Sequence, residues 1–96
     1  MASNDSGGIG IFQIHVAHQA SAYIYRLDRS TQKRIANRLR QLAENPYRPY
    51  TKPLTGVDRQ RSSRVGGWRI IYTVDEAQET VNVSLIASRG EVYRRL

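Results

Sequence analysis

RVGGWRIIYTVD, residues Arg64–Asp75, places two adjacent glycines between residues of strand type. Gly66-Gly67 is a signal for a two-residue β-hairpin turn, and the residues after it alternate with period two. With the glycines as the turn, Val65 faces Trp68 and Arg64 faces Arg69. Directly opposed residues hold their Cβ atoms about 4.5–5.5 Å apart, and like charges so placed are destabilising. An anion such as a phosphate between the two guanidinium groups removes the conflict. The alternatives are that each Arg bends away to a carboxylate, or that a bulge shifts the register.

Outward from the hairpin, three strands are predicted at Arg61–Val65, Trp68–Asp75 and Thr80–Ala87, with a polar turn at Glu76–Glu79. Ile70, Tyr72 and Val74 share one face of the middle strand; Val81, Val83, Leu85 and Ala87 share one face of the last. Short connections make the three an antiparallel meander. Upstream, Tyr47–Asp58 (YRPYTKPLTGVD) contains Pro49, Pro53 and Gly56 and reads as an irregular connection anchored in the core by Leu54.

Before that connection the period is helical. Ile35, Leu39 and Leu42 share a face, with Lys33, Arg34, Arg38 and Arg40 mostly on the others. Ser30 or Asp28 can cap this helix, and Asn45-Pro46 ends it. Ala20, Ile24 and Leu27 mark an earlier helix from His18 to about Leu27, and the short link makes the pair an antiparallel hairpin. Phe12, Ile14 and Val16 alternate with Gln13 and His15 in a short strand. Met1–Gly8 (MASNDSGG) reads as a disordered tail, and Ile9–Leu96 as one domain.

Composition bounds the function. Ninety-six residues, 40% of them hydrophobic and with no cysteine, make one small core without disulfides or thiolate chemistry. No apolar run approaches the ~20 residues of a membrane span, and the polar start lacks the features of a signal peptide, so the chain reads as cytoplasmic. Fifteen Lys+Arg against eight Asp+Glu give a net charge of +7, and only Lys33 and Lys52 among the fifteen are lysine. Arginine's planar fork binds phosphate bidentately and stacks on bases, which favours nucleic acid or an acidic protein as partner over a merely solvated basic surface.

Arg61 shares a strand with Arg64 in the opposite pleat phase and serves solvent or a partner. In SRGEVYRRL, Arg89 leaves the last strand, and Tyr93 either stacks on a base or packs on the core edge. Arg94 and Arg95 form a basic tail. His15 and His18 flank a strand-to-helix corner without the spacing of a metal site. The acids lie mostly in turns, Gly7-Gly8-Ile9-Gly10 follows no strand, and no nucleophile elbow or Ser-His-Asp pattern occurs.

KPLTG (Lys52–Gly56), RVGGWRIIYTVD (Arg64–Asp75) and VNVSLIASRGEVYRRL (Val81–Leu96) together resemble the RelE/ParE superfamily of toxins from type II toxin–antitoxin modules. The resemblance spans about Ile11–Tyr93. It implies an α+β, RelE-like fold: a short strand, a helical hairpin, then a three-stranded antiparallel meander completing one sheet. In the RelE branch it implies a ribosome-dependent mRNA endoribonuclease that needs no metal or cofactor. There Arg69 stabilises the scissile phosphate, Arg89 neutralises the phosphorane or serves the leaving group, and Tyr93 stacks on or orients the RNA. Arg64 supplies the basic residue before the turn, and Lys52, Arg61, Arg94 and Arg95 contact RNA.

Two positions depart from the family pattern. Ser62 with Arg64 stands where RelE toxins carry paired basic residues, often lysines, and Ser88 stands where many relatives have His or Lys. A guanidinium group does not readily give up its proton, so Arg64 is a poor general base and the base is unassigned. The ParE branch shares the fold but poisons DNA gyrase, and a non-catalytic basic module for RNA or an acidic protein is a third reading. Arg69, Arg89 and Tyr93 together favour the RelE branch. The implied partners are a cognate acidic, RelB-like antitoxin, mRNA in the ribosomal A site, and operator DNA only through the antitoxin, with no membrane.

Overall fold

The computed structural model describes residues 12–47, 51–53 and 59–88. Its Gly66-Gly67 turn pairs Val65 with Trp68 and Arg64 with Arg69, the register the hairpin reading requires. Gly66 has φ +59°, the left-handed value that primed hairpin turns need at their first central residue. A Cβ there would also run into the Arg34 guanidinium, whereas one on Gly67 would meet open space.

Seven elements follow in order: β1 (Gln13–Val16), α1 (His18–Tyr25), α2 (Arg29–Glu44), β2 (Thr51–Pro53), β3 (Gln60–Val65), β4 (Trp68–Asp75) and β5 (Thr80–Ser88). The strands form one sheet in the order β1-β5-β4-β3-β2. β2 to β5 run antiparallel to their neighbours, and β1 pairs parallel with β5. Among the described residues no helix is long and apolar enough to cross a membrane.

Asp28 is the residue that caps α2. Its carboxylate accepts from the Thr31 amide at 3.1 Å and from the Thr31 hydroxyl at 2.6 Å. Those bonds hold the Asp28 carboxyl below its ordinary value. Gln32 closes the helix–helix link from the other side, its Nε2 donating to the carbonyls of Ile24 at 3.0 Å and Leu27 at 3.1 Å. The Ile24 carbonyl also accepts from the Leu27 amide at 3.0 Å, whereas the Leu27 carbonyl is one that the end of the helix would otherwise leave to solvent. Asn45, extended ahead of Pro46, ends α2. The Pro46 carbonyl then accepts from the buried Tyr72 hydroxyl at 2.6 Å, tying the helix end to β4.

Both helices cover one face of the sheet. Ala20 of α1 and Ile35 and Leu42 of α2 are buried with Val65, Ile70, Tyr72, Val81, Val83 and Ile86, and Ile14, Val16 and Trp68 pack around them. Burying each of the larger apolar side chains contributes about 1.5–3 kcal/mol, the main term holding so short a chain together.

Three sequence readings are corrected. The stretch 47–58, read as irregular, contains β2, because the outer edge of β3 offers a partner and Pro53 is tolerated on an edge strand. Arg38 lies towards the sheet, not on the outer faces of α2: its Nη1 donates to Ser63 Oγ at 2.8 Å and to the Arg64 carbonyl at 2.7 Å. The last strand does not keep one apolar face. Ile71 pairs with Leu85 and Tyr72 with Val83, so Ser84 is an extra residue, a bulge. The bulge inverts the pleat: Val81, Val83 and Ile86 join the helix-side core, while Leu85 and Ala87 join Ile71 on the other face. The tail Met1–Gly8 and Leu54 lie outside the described residues.

Candidate functional site

The face of the sheet turned away from the helices carries the opposed arginines. Pairing registers place residues in rows across it. Arg64 of β3, Arg69 of β4 and Ala87 of β5 form one row. Lys52 of β2, Ser62, Ile71 and Leu85 form the next. Lys52 opposes Ser62, which puts it diagonal to Arg64, about 7–8 Å away, within reach of side chains this long. Three cations from three consecutive strands therefore share one end of the open face.

Arg64 and Arg69 are opposed but not equivalent. Arg64 is exposed, and its guanidinium makes no hydrogen bond or ion pair with the described residues. Arg69 is 5% exposed, held beside buried Ile71, Ala87 and Ser62. Partial burial strengthens the field of Arg69 towards an approaching anion, while Arg64 supplies a mobile fork beside it. Two guanidinium groups and an ammonium ion in this arrangement can bind a phosphodiester and stabilise charge building on it. Guanidinium groups and an ammonium ion are hydrogen-bond donors without an acceptor, so the three supply cations and not a seat for a leaving proton.

Arg61 is not part of this group. It lies on the helix side, where its Nη2 donates to Thr51 Oγ1 at 2.9 Å and its guanidinium carbon sits 5.0 Å from the centre of the Tyr47 ring. The Tyr47 hydroxyl in turn donates to the Glu76 carboxylate. That hydrogen bond pushes the Tyr47 hydroxyl above its ordinary pKa. Arg61 therefore fastens β2 to the sheet, and Lys52 rides on β2. Arg89, Tyr93, Arg94 and Arg95 lie outside the described residues.

His15 is exposed and His18 opens α1, as their spacing indicated. His15 stands on the open face, but opposite Asn82 near the far end of the sheet. Two strands and four residues separate it from Arg69, on the order of 15 Å. No group of three His, Cys, Asp or Glu residues able to hold a metal occurs among the described residues. The role sequence reasoning missed is that of α2. Arg34 reaches the hairpin turn, and Arg38 braces the strand that carries Arg64. The spacing of Arg38 from Ile35 and Leu42, three and four residues, was the available signal.

The family profile for the ParE toxin of the type II toxin–antitoxin system parDE matches residues 14–93. The chain belongs to this family. It is a toxin of a type II toxin–antitoxin system within the RelE/ParE superfamily. Among solved structures, the toxin superposes on a chain of the archaeal RelE–RelB complex from Pyrococcus horikoshii with TM-score 0.73 at 19% identity, covering 83% of this chain and 97% of that one. Isolated Escherichia coli RelE gives TM-score 0.71 at 19% identity, with 88% and 93% covered. A YoeB/ParE toxin from Agrobacterium tumefaciens gives 0.70 at 16% identity, with 81% and 99% covered. At these identities the likeness is one of fold. No curated protein sequence matches the chain.

Proposed function

We propose that this toxin is a ribosome-dependent mRNA endoribonuclease. The observation that carries the reading is the direct opposition of Arg64 and Arg69 on the open face, with Lys52 diagonal to Arg64. Three cations gathered at one end of the face suit a phosphodiester, whose charge they can share.

In the proposed reaction the ribose 2′-oxygen attacks the adjacent phosphorus and loses its proton to a base. The bond from phosphorus to the 5′-oxygen breaks, and that oxygen takes up a proton. The products are a 2′,3′-cyclic phosphate and a free 5′-hydroxyl. Arg69 and Arg64 stabilise the phosphorane charge, the kind of electrostatic contribution whose loss costs about 100- to 1000-fold in rate. Arg89 neutralises the same charge or serves the leaving group, Tyr93 stacks on or orients the RNA, and Lys52, Arg94 and Arg95 guide the strand. Arg61 acts through β2, keeping Lys52 in place. The base comes from outside the Arg64–Arg69–Lys52 group, which fits a reaction completed only on the ribosome. An acidic antitoxin restrains the free toxin, a reading supported by the RelE–RelB complexes of similar fold from P. horikoshii and Mycobacterium tuberculosis. Operator DNA is met through that antitoxin, and the site of action is the cytoplasm.

The test is 5′-end mapping of mRNA in a translating extract. New ends inside codons, dependent on ribosomes and lost in Arg69→Ala, are expected. Intact mRNA at inhibitory doses overturns the reading. A second reading then applies, favoured by the family profile that the chain matches: inhibition of DNA gyrase, read by accumulation of cleaved gyrase–DNA complex.

A further inference from the structure

Beyond the basic end, the open face carries a second row that the proposed chemistry does not use. Gln60 of β3 opposes Thr73 of β4, Thr73 opposes Asn82 of β5, and Asn82 opposes His15 of β1. Four consecutive strands thus present four side chains with hydrogen-bonding groups in a line. Asn82 and His15 are exposed, Gln60 and Thr73 half-buried, and none of the four side chains makes a hydrogen bond with the described residues. The row lies where two clefts meet. One, of about 580 Å³, includes His15, Asn82, Asp75 and Glu79; the other, of about 720 Å³, includes Gln60, Thr73, Asn82 and Asp75.

Charge reverses along the face. The row at Arg64 and Arg69 is cationic, whereas Asp75 and Glu79 rim the far end. Arg59 and Arg61 line the Gln60 side of that end, so a phosphate is drawn to the first end and disfavoured at the His15–Asn82 side, where Asp75 and Glu79 lie. Thr73 follows Arg69 by four residues along β4, about 13–14 Å at the rise of a strand. That equals about four nucleotides of a stacked single strand, and fewer when the strand is drawn out. A strand with its phosphate on the arginines can therefore lay a base up to about four nucleotides away against the polar row.

We propose that Gln60, Thr73, Asn82 and His15 form a base-reading subsite for the edge of a nucleobase that bears an exocyclic amino group. The subsite rests on the ribonuclease reading and gives it sequence preference. Side-chain amides recognise adenine bidentately, accepting from the amino group while donating to a ring nitrogen, and a carboxylate such as Asp75 accepts from the amino group of cytosine. Uracil places the acceptor O4 where adenine and cytosine place the amino group, so the Asp75 carboxylate and an amide oriented for adenine meet a like acceptor. A good pair of this type discriminates by roughly five- to a hundredfold.

The experiment is single-nucleotide mapping of cleavage ends in a translating extract, with the full chain and its Asn82→Ala and Gln60→Ala variants, each checked for an unaltered melting curve. The wild-type toxin is expected to prefer adenine or cytosine over uracil at one position removed from the cleaved bond. In Asn82→Ala, cleavage at adenine and cytosine sites falls about fivefold or more relative to uracil sites. A preference unchanged in both variants, or no preference, overturns the subsite and leaves the ribonuclease reading standing. No cleavage by the wild-type chain overturns both.

Discussion

On the helix side of the β3–β4 hairpin, Ser63 opposes Ile70, and Arg38 reaches down from α2 to the Ser63 hydroxyl and the Arg64 carbonyl. On the open side, one residue nearer the turn on each strand, Arg64 opposes Arg69 with Ala87 beyond. Both faces contain arginine, but its work differs. Beneath the helices an arginine completes hydrogen bonds that the fold needs. On the open face two arginines oppose one another across a fixed register, and Arg64 is exposed there with no partner among the described residues. A polar group whose partners the fold provides is structural; charges set against each other by a fixed register point to function.

The contrast is broken most severely from the helix side. Ile35→Ala removes a fully buried side chain from the shared core and is expected to cost about 2–5 kcal/mol, read as a lowered denaturant midpoint with an unchanged slope. A loss under about 1 kcal/mol would mean that α2 is not what holds the sheet.

At the turn joining the two faces, Gly66→Ala forces a Cβ onto a residue at φ +59°, whereas Gly67 has open space around its added Cβ. Gly66→Ala should cost about 1–2 kcal/mol and Gly67→Ala much less. Equal losses would show that the turn tolerates either hand at its first glycine.

Arg64→Ala sharpens the comparison by separating stability from activity. Removing one of two opposed like charges should leave the free protein as stable or more stable by about 0.2–1 kcal/mol. RNA cleavage should fall at least tenfold in the same variant. A destabilised Arg64→Ala protein would make Arg64 a structural residue like Arg38.

The smallest effect lies at the helix start. The Thr31 hydrogen bonds hold the Asp28 carboxyl below 3.8 in the folded chain, so the ionised form is the one favoured by folding. Its stabilisation is present above that value and is lost as pH falls through the folded pKa. Wild type should therefore melt above Asp28→Ala near neutrality, and the gap should close on acidification. A gap constant with pH would mean that the carboxylate's charge contributes nothing.

Much of the site could be read in the chain because a two-residue turn leaves little freedom. Once Gly66-Gly67 is the turn, Arg64 must oppose Arg69, and Arg61 must fall in the other phase; both placements hold. The helix pair was legible from its apolar spacing, and the end of α2 from Asn45-Pro46. β2 was not, since three residues containing a proline have no strand signal of their own, and only the edge of β3 makes them one. Nor was Arg38, whose charge argued for solvent while its partners on β3 lie 25 and 26 residues away along the chain.

Local chemistry, then, determined from sequence alone the hairpin register, the helices and the surplus of arginine. Tertiary structure decided which residues share a face. The Ser84 bulge turns Leu85 and Ala87 away from the helices, β2 brings Lys52 beside Arg64, and the parallel pairing of β1 sets His15 beside Asn82. Each depends on a pairing between segments distant in the chain, and a strand's own pattern cannot state which neighbour it will meet or where an extra residue will invert it.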